Sequence, residues 1–262
     1  MVKPMQHALL LLSCLLTVTV AAHAEEAEPV LPKLGSIKGT FTATAPFPVG
    51  IIPSLPNLRD ETLLINAKNA GLANVVINLV PKQRPPKRIL SDDTKKLVFD
   101  TVSIDRRITL LVVGDKLEIE NQSKNLDDHV TMNMESSNLE LRQFHLIPGK
   151  SEIRQHKLVV AYPQEISASF YKRPNRPAYV DRLGYFFVFE NNYAAVTDTN
   201  GTFCIKDVPQ GKYDLFFWHE LYKYEEKTEL KNNGVIVKQI DYMPLEIEAK
   251  SLDLGTFDYT LK

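Results

Sequence analysis

The residues best equipped for chemistry lie together in Asp127-Asp128-His129-Val130-Thr131-Met132-Asn133-Met134. One imidazole and two thioethers are the donor types of a soft copper site. The same residues have ordinary uses. Met132 and Met134 alternate, as core-filling thioethers do on a strand, and His129 alone cannot hold a metal tightly. A polar residue packed at a strand end is the expected reading of His129, with a metal contact shared by Met132 and Met134 as the alternative. His145 and His156 are separated by charged and turn residues and form no ligand spacing. His219 sits between Trp218 and Glu220, at the end of an apolar strand-like run. Asp127 and Asp128 are adjacent, so on a strand they face opposite ways. A hydrolase would have to gather its carboxylates from distant strands. The chain contains no Gly-x-Ser-x-Gly elbow, no His-Glu-x-x-His helix and no phosphate-cradling glycine loop.

A second chemical feature is the basic and aromatic stretch Phe170-Tyr171-Lys172-Arg173-Pro174-Asn175-Arg176-Pro177-Ala178-Tyr179, with Arg182 just beyond. Arginine and tyrosine together suit carboxylate or sugar contacts. Tyr171, Arg173, Arg176, Tyr179 and Arg182 are therefore the ligand-binding candidates, against the plainer reading of a solvated loop closing one end of a sandwich. Lys82, Arg84, Lys87 and Arg88 read as a solvated basic loop.

The elements that would position these residues read as strands. Ile37 to Thr44 alternates; Ala73 to Leu79 is a short apolar run; Thr109 to Val113 and Lys116 to Glu120 flank Gly114-Asp115, a hairpin signal. Leu158 to Ala161, Tyr185 to Glu190, Tyr193 to Thr197, Thr202 to Ile205 and Tyr213 to Trp218 continue the pattern. No stretch sustains a 3.6-residue apolar period with caps. Proline-rich Ala45 to Leu58 and Pro81 to Arg88 read as surface loops. The fold class is all-β, a sandwich architecture.

Composition bounds the rest. The 262 residues suffice for one large or two small domains, and 44% hydrophobic with 24% charged residues can support a core. A net charge of −1 offers no basic field for a phosphate backbone, so nucleic acid is not an expected partner. Lys3, the apolar run Ala8 to Val20 and Ala22-His23-Ala24 fit a secretory leader cleaved after Ala24, leaving no transmembrane span and a periplasmic or extracellular protein. Cleavage removes Cys14 and leaves Cys204, which its apolar surroundings mark as a small buried hydrophobe.

Two sets of motifs resemble known families. Gly35-Ser36-Ile37-Lys38-Gly39, Gly71 to Ile77, Asp198-Thr199-Asn200-Gly201-Thr202-Phe203 and Val208-Pro209-Gln210-Gly211-Lys212-Tyr213 resemble the carboxypeptidase-regulatory-like, transthyretin-like sandwich. Val113-Gly114-Asp115-Lys116-Leu117-Glu118-Ile119-Glu120-Asn121 followed by Asp127-Asp128-His129 resembles a cupredoxin. The ordered whole, with Ala195 to Asp198 and Trp218-His219-Glu220, is similar to a secreted bacterial cupredoxin-like family, some of whose members are labelled methylamine-utilization proteins. The resemblance implies a cupredoxin-like sandwich inserted into or joined to a transthyretin-like one. Its divisions are a leader over 1–24, a transthyretin-like part over 34–95 completed by 191–262, and the cupredoxin-like domain over 96–190.

The same resemblance puts a copper-ligating Cys, His and Met on one loop between the last two strands, after a first His at His129. Aligned from upstream, the Cys position is Phe170; aligned back from Ala195-Val196-Thr197, it is near Arg176, with Tyr179 at the His and Arg182 at the Met. Ile166 to Glu190 contains no Cys, His or Met and carries Lys172, Arg173, Arg176 and Arg182 instead. The expectation is a non-enzymatic binding or assembly protein on a copper-free scaffold, with no cofactor and a protein or glycan partner. The alternatives are an atypical copper electron-transfer site at His129 and a hydrolase assembled across strands.

Overall fold

A computed structural model describes residues 33–43, 64–83, 93–100, 103–124, 129–136, 139–155, 160–170, 179–221, 228–237 and 242–261. Among these residues the chain is nearly all β. No described helix is long and apolar enough to cross a membrane.

Among the described residues four sheets form, and their strands come from two interleaved parts of the chain. Sheet I uses β1 (Leu34–Ala43), β13 (Thr202–Pro209), β15 (Thr228–Asn232), β16 (Val235–Val237) and β18 (Ser251–Leu261), in the order β13-β1-β18-β15-β16. Sheet II uses β2 (Val76–Pro81), β12 (Ala194–Val196), β14 (Gly211–Trp218) and β17 (Met243–Ile247), in the order β12-β2-β14-β17. The segment between β2 and β12 builds the other two. Sheet III orders β5 (Ile108–Val112), β11 (Tyr179–Phe189), β10 (Val160–Phe170), β7 (Val130–Ser136) and β8 (Leu139–Leu146) as β5-β11-β10-β7-β8. Sheet IV orders β4 (Ser103–Ile104), β3 (Thr94–Asp100), β6 (Lys116–Asn121) and β9 (Ser151–Gln155) as β4-β3-β6-β9.

Side-chain alternation assigns each sheet its partners. Ile37, Phe41, Phe203, Ile205 and Phe257 of sheet I meet Ile77, Leu79, Leu215 and Phe217 of sheet II in one core. Leu97, Phe99, Leu117 and Ile119 of sheet IV meet Leu111, Met132, Phe144, Ile166 and Val188 of sheet III in a second. A third cluster joins the two sandwiches: Val76, Phe216 and Trp218 of sheet II against Ile108, Tyr185, Phe187 and Phe189 of sheet III. The sheets thus stack in the order I, II, III, IV. The two middle sheets bury both faces where they meet. Tyr185 to Phe189 on β11 and Leu215 to Trp218 on β14 are accordingly unbroken apolar runs, as strands covered on both sides must be.

Two local expectations change. Gly114-Asp115 does not close a hairpin, because β5 pairs with β11 in sheet III and β6 with β3 and β9 in sheet IV. It is an arch between facing sheets, with Leu111 and Val113 before it and Leu117 and Ile119 after it buried in the same core. The Asp115 carboxylate accepts the Val112 N–H at 2.8 Å and ties the arch. Cys204 is exposed, not buried. Phe203 and Ile205 point inward from β13, so the residue between them points out, opposite Lys38 on β1.

The motif residues near 197–213 have specific structural work. Thr197, buried, accepts the Val75 N–H at 2.9 Å and donates to the Leu72 carbonyl at 2.8 Å. Asp198 accepts the N–H groups of Asn200 and Thr202 and the Thr202 hydroxyl. Gly201 has φ 75°, and a Cβ there would lie 2.0 Å from the Phe41 carbonyl oxygen, so both its conformation and its space demand glycine. The Tyr213 hydroxyl donates to the Pro209 carbonyl at 2.8 Å and closes the turn between β13 and β14.

Candidate functional site

Register alone places His129 at one end of sheet III. It immediately precedes β7, whose first residue, Val130, lies between Leu146 of β8 and Phe170 of β10. The segment 171–178 leaves β10 after Phe170 and enters β11 at Tyr179, opposite Ser169. His129 and the ends of the β10–β11 connection therefore share one end of the sheet. Upstream, Asn121 is fully buried at the end of β6 and accepts the Ser123 N–H at 3.0 Å, which starts the turn toward His129.

His129 is exposed. Met132 is not its neighbour in chemistry: it is fully buried, opposite Phe144 and Ala168, inside the core between sheets III and IV. Its side chain is part of that core. Met134 lies in β7 opposite Ile166 and Arg142, with its side chain outside the described residues. His145 is exposed on the opposite face from Phe144, and its Nδ1 is 3.1 Å from the Thr131 hydroxyl. Asp127, Asp128, His156, Tyr171, Arg173 and Arg176 lie outside the described residues. Tyr179 and Arg182 belong to β11, with side chains outside the description; Arg182 falls within a register irregularity between Val180 and Gly184. Among the described residues no three His, Cys, Asp or Glu gather at metal-binding distance.

The strongest concentration of buried polar chemistry is elsewhere, where sheet II meets sheet III. Arg107, just ahead of β5, and Glu220, two residues past β14, form a fork-to-fork ion pair with contacts of 2.8 to 3.1 Å. Their side chains are 6% and 5% exposed. The guanidinium lies 5.6 Å from the Tyr185 ring centroid. Tyr185 packs edge-on against Trp218 at 4.9 Å. Burial, reinforced by the Glu220 carboxylate, pushes the Tyr185 phenol far above its ordinary range. His219 takes the other face of the strand end, toward Tyr259, and its Nδ1 accepts the Leu221 N–H at 3.1 Å. Burial lowers the imidazole to about 4, against the opposing pull of Glu220 and a hydrogen bond with the Ala73 backbone. His219 is thus a neutral structural ring.

No family model matches the chain, and no curated protein matches it.

Arg107, Tyr185 and Glu220 escape a motif reading because each comes from a different part of the sequence. The available signal is the pair of unbroken apolar runs, which mark β11 and β14 as covered on both faces. A shallow cleft of about 300 Å³ lies on sheet II, lined by Lys82, Lys212, Pro244, Leu245 and Glu246. Lys82 is already bound to Asp214 at 3.0 Å. The cleft offers mixed charge without an acid and base poised on one point.

Proposed function

We propose that this chain is a secreted, non-enzymatic binding or assembly protein of the periplasm or cell surface, in which a transthyretin-like sandwich carries a cupredoxin-like one without its copper ligands. The observation that carries the reading is where the perturbed ionisable groups lie. Active sites concentrate shifted pKa values in accessible clefts. Here, among the described residues, the large shifts belong to buried groups: Tyr185 and His219 at or beside the joint between the sandwiches, and Tyr213 in the core between sheets I and II. The copper-free part rests on ligand type. Ile166 to Glu190 supplies no thiolate, imidazole or thioether, and Met132 is turned into the core beside an outward His129. The partner is a protein or a glycan, and the residues the sequence offers for it are the arginines and tyrosines from Tyr171 to Arg182.

Two titrations of the purified secreted protein test this. Cu(II) and Cu(I) are expected to bind weakly and without an intense visible charge-transfer band. A panel of glycans and peptides is expected to contain a ligand that raises the melting temperature without being consumed. Stoichiometric tight copper that disappears in His129→Ala, or release of product from a glycan or peptide, overturns the proposal.

A further inference from the structure

We propose that Arg107 and Glu220 act as a registry latch, fixing how the two sandwiches meet, and that the latch and the aromatic joint make the four sheets one cooperative folding unit. The apolar part of the joint cannot define a unique placement by itself. Rings of Tyr185, Phe187, Phe189, Phe216 and Trp218 attract through area and soft ring geometry, both of which tolerate sliding. The ion pair does not tolerate it. A bidentate fork demands one distance and one plane, and any other placement leaves a buried charge without its counter-ion.

The geometry around the latch is correspondingly tight. Arg107 is held within sheet III: its carbonyl accepts the Tyr185 N–H at 2.8 Å, its Nη1 donates to the Leu183 carbonyl at 3.4 Å, and its cation faces the Tyr185 ring. Gly184 admits this approach, since a Cβ there would sit 2.6 Å from the Arg107 carbonyl oxygen. Glu220 reaches in from the end of sheet II, two residues after Trp218, whose indole packs edge-on against both Tyr185 and Phe187 at 4.9 and 5.4 Å. Charge pairing and ring packing are thus coupled through the Arg107–Tyr185 contact on sheet III and the short Trp218–Glu220 segment at the end of sheet II. Arg107 and Glu220 are positioning residues: buried ion pairs set specificity more readily than they add stability, because desolvation offsets their attraction.

Trp218 is the single tryptophan of the chain and lies inside the joint, so its fluorescence reports the joint directly. In the secreted wild-type protein, urea transitions followed by Trp218 emission and by far-UV ellipticity are expected to coincide. Arg107→Met alone should lower the midpoint, by stranding Glu220. The double variant Arg107→Met/Glu220→Leu should keep the wild-type midpoint or exceed it, while acrylamide quenching of Trp218 rises severalfold. Gly184→Ala, which disturbs the latch without removing a charge, should also raise quenching. Separate transitions in the wild type would sink the single-unit claim. A double variant that fails to fold, or that loses as much stability as Arg107→Met alone, shows that the pair is a net stabiliser and overturns its role as a registry device. Unchanged quenching in both the double variant and Gly184→Ala shows that the apolar contacts define the registry unaided.

Discussion

At the scale of single residues, buried polar groups here are structural ties, and removing one exposes what it was tying. His219 is the clearest case. Its folded-state pKa of about 4 lies below the ordinary histidine value of 6.5, so the unfolded chain binds more protons between those values. Stability is therefore full above that window and is lost as pH falls through it, by at most about 3 kcal/mol. Urea midpoints measured from pH 7 to 5 should decline in the wild type and flatten in His219→Phe. Thr197 predicts a second effect. Thr197→Val keeps the shape but strands the Val75 N–H and the Leu72 carbonyl, at a cost of about 2–4 kcal/mol in denaturant unfolding. Cys204 predicts a third. Because it faces out from β13, a thiol reagent should label it in the native protein about as fast as in urea. Slow labelling that needs unfolding would return it to the core.

At the scale of elements, what distinguishes one strand from another is how many of its faces are covered. β6 alternates buried and half-buried residues because only one face meets a core. β14 does the same through Tyr213 and Asp214, then becomes buried on both sides from Leu215 to Trp218, where sheet III begins to cover it. The turn between β13 and β14 depends on one hydroxyl, that of Tyr213. Tyr213→Phe removes its bond to Pro209 while leaving the ring in the core, and a loss of about 1 kcal/mol in thermal or urea unfolding is expected. A loss near zero would mean that ring packing alone holds this corner. The arch at Gly114-Asp115 follows the same logic of faces. Its flanking strands bury their apolar residues toward each other, whereas pairing edge to edge would have laid those residues side by side on one face.

At the scale of the molecule, the stack has three buried layers, and the middle one is made of residues from both sandwiches. The most protected backbone should lie beside that middle layer. Amide exchange of β11 and β14 is expected to require global unfolding, whereas the exposed edge strand β16, with Val235 and Ile236 68% and 61% exposed, should exchange through local opening. If β14 exchanged as fast as β16, the middle layer would be only a contact surface. Truncating Trp218 to Ala should cost about 3–5 kcal/mol, because it opens space against Tyr185 and Phe187 in that layer.

Alternating apolar residues, frequent proline and glycine, and the lack of any sustained helical period were enough to determine an all-β chain and most of its strands in the quoted stretches. The Asp198 to Gly201 and Pro209 to Tyr213 motifs were legible because their bonds close within a few residues. Only the tertiary structure decided that Gly114-Asp115 is an arch, that Met132 fills a core while His129 stays outside, and that Cys204 faces out. It alone also brought Arg107 to Glu220 across 113 positions of chain. The physical reason is range. Turn chemistry and strand period act between near neighbours in sequence, whereas which face of a strand is covered, and by what, depends on a sheet contributed by residues far along the chain.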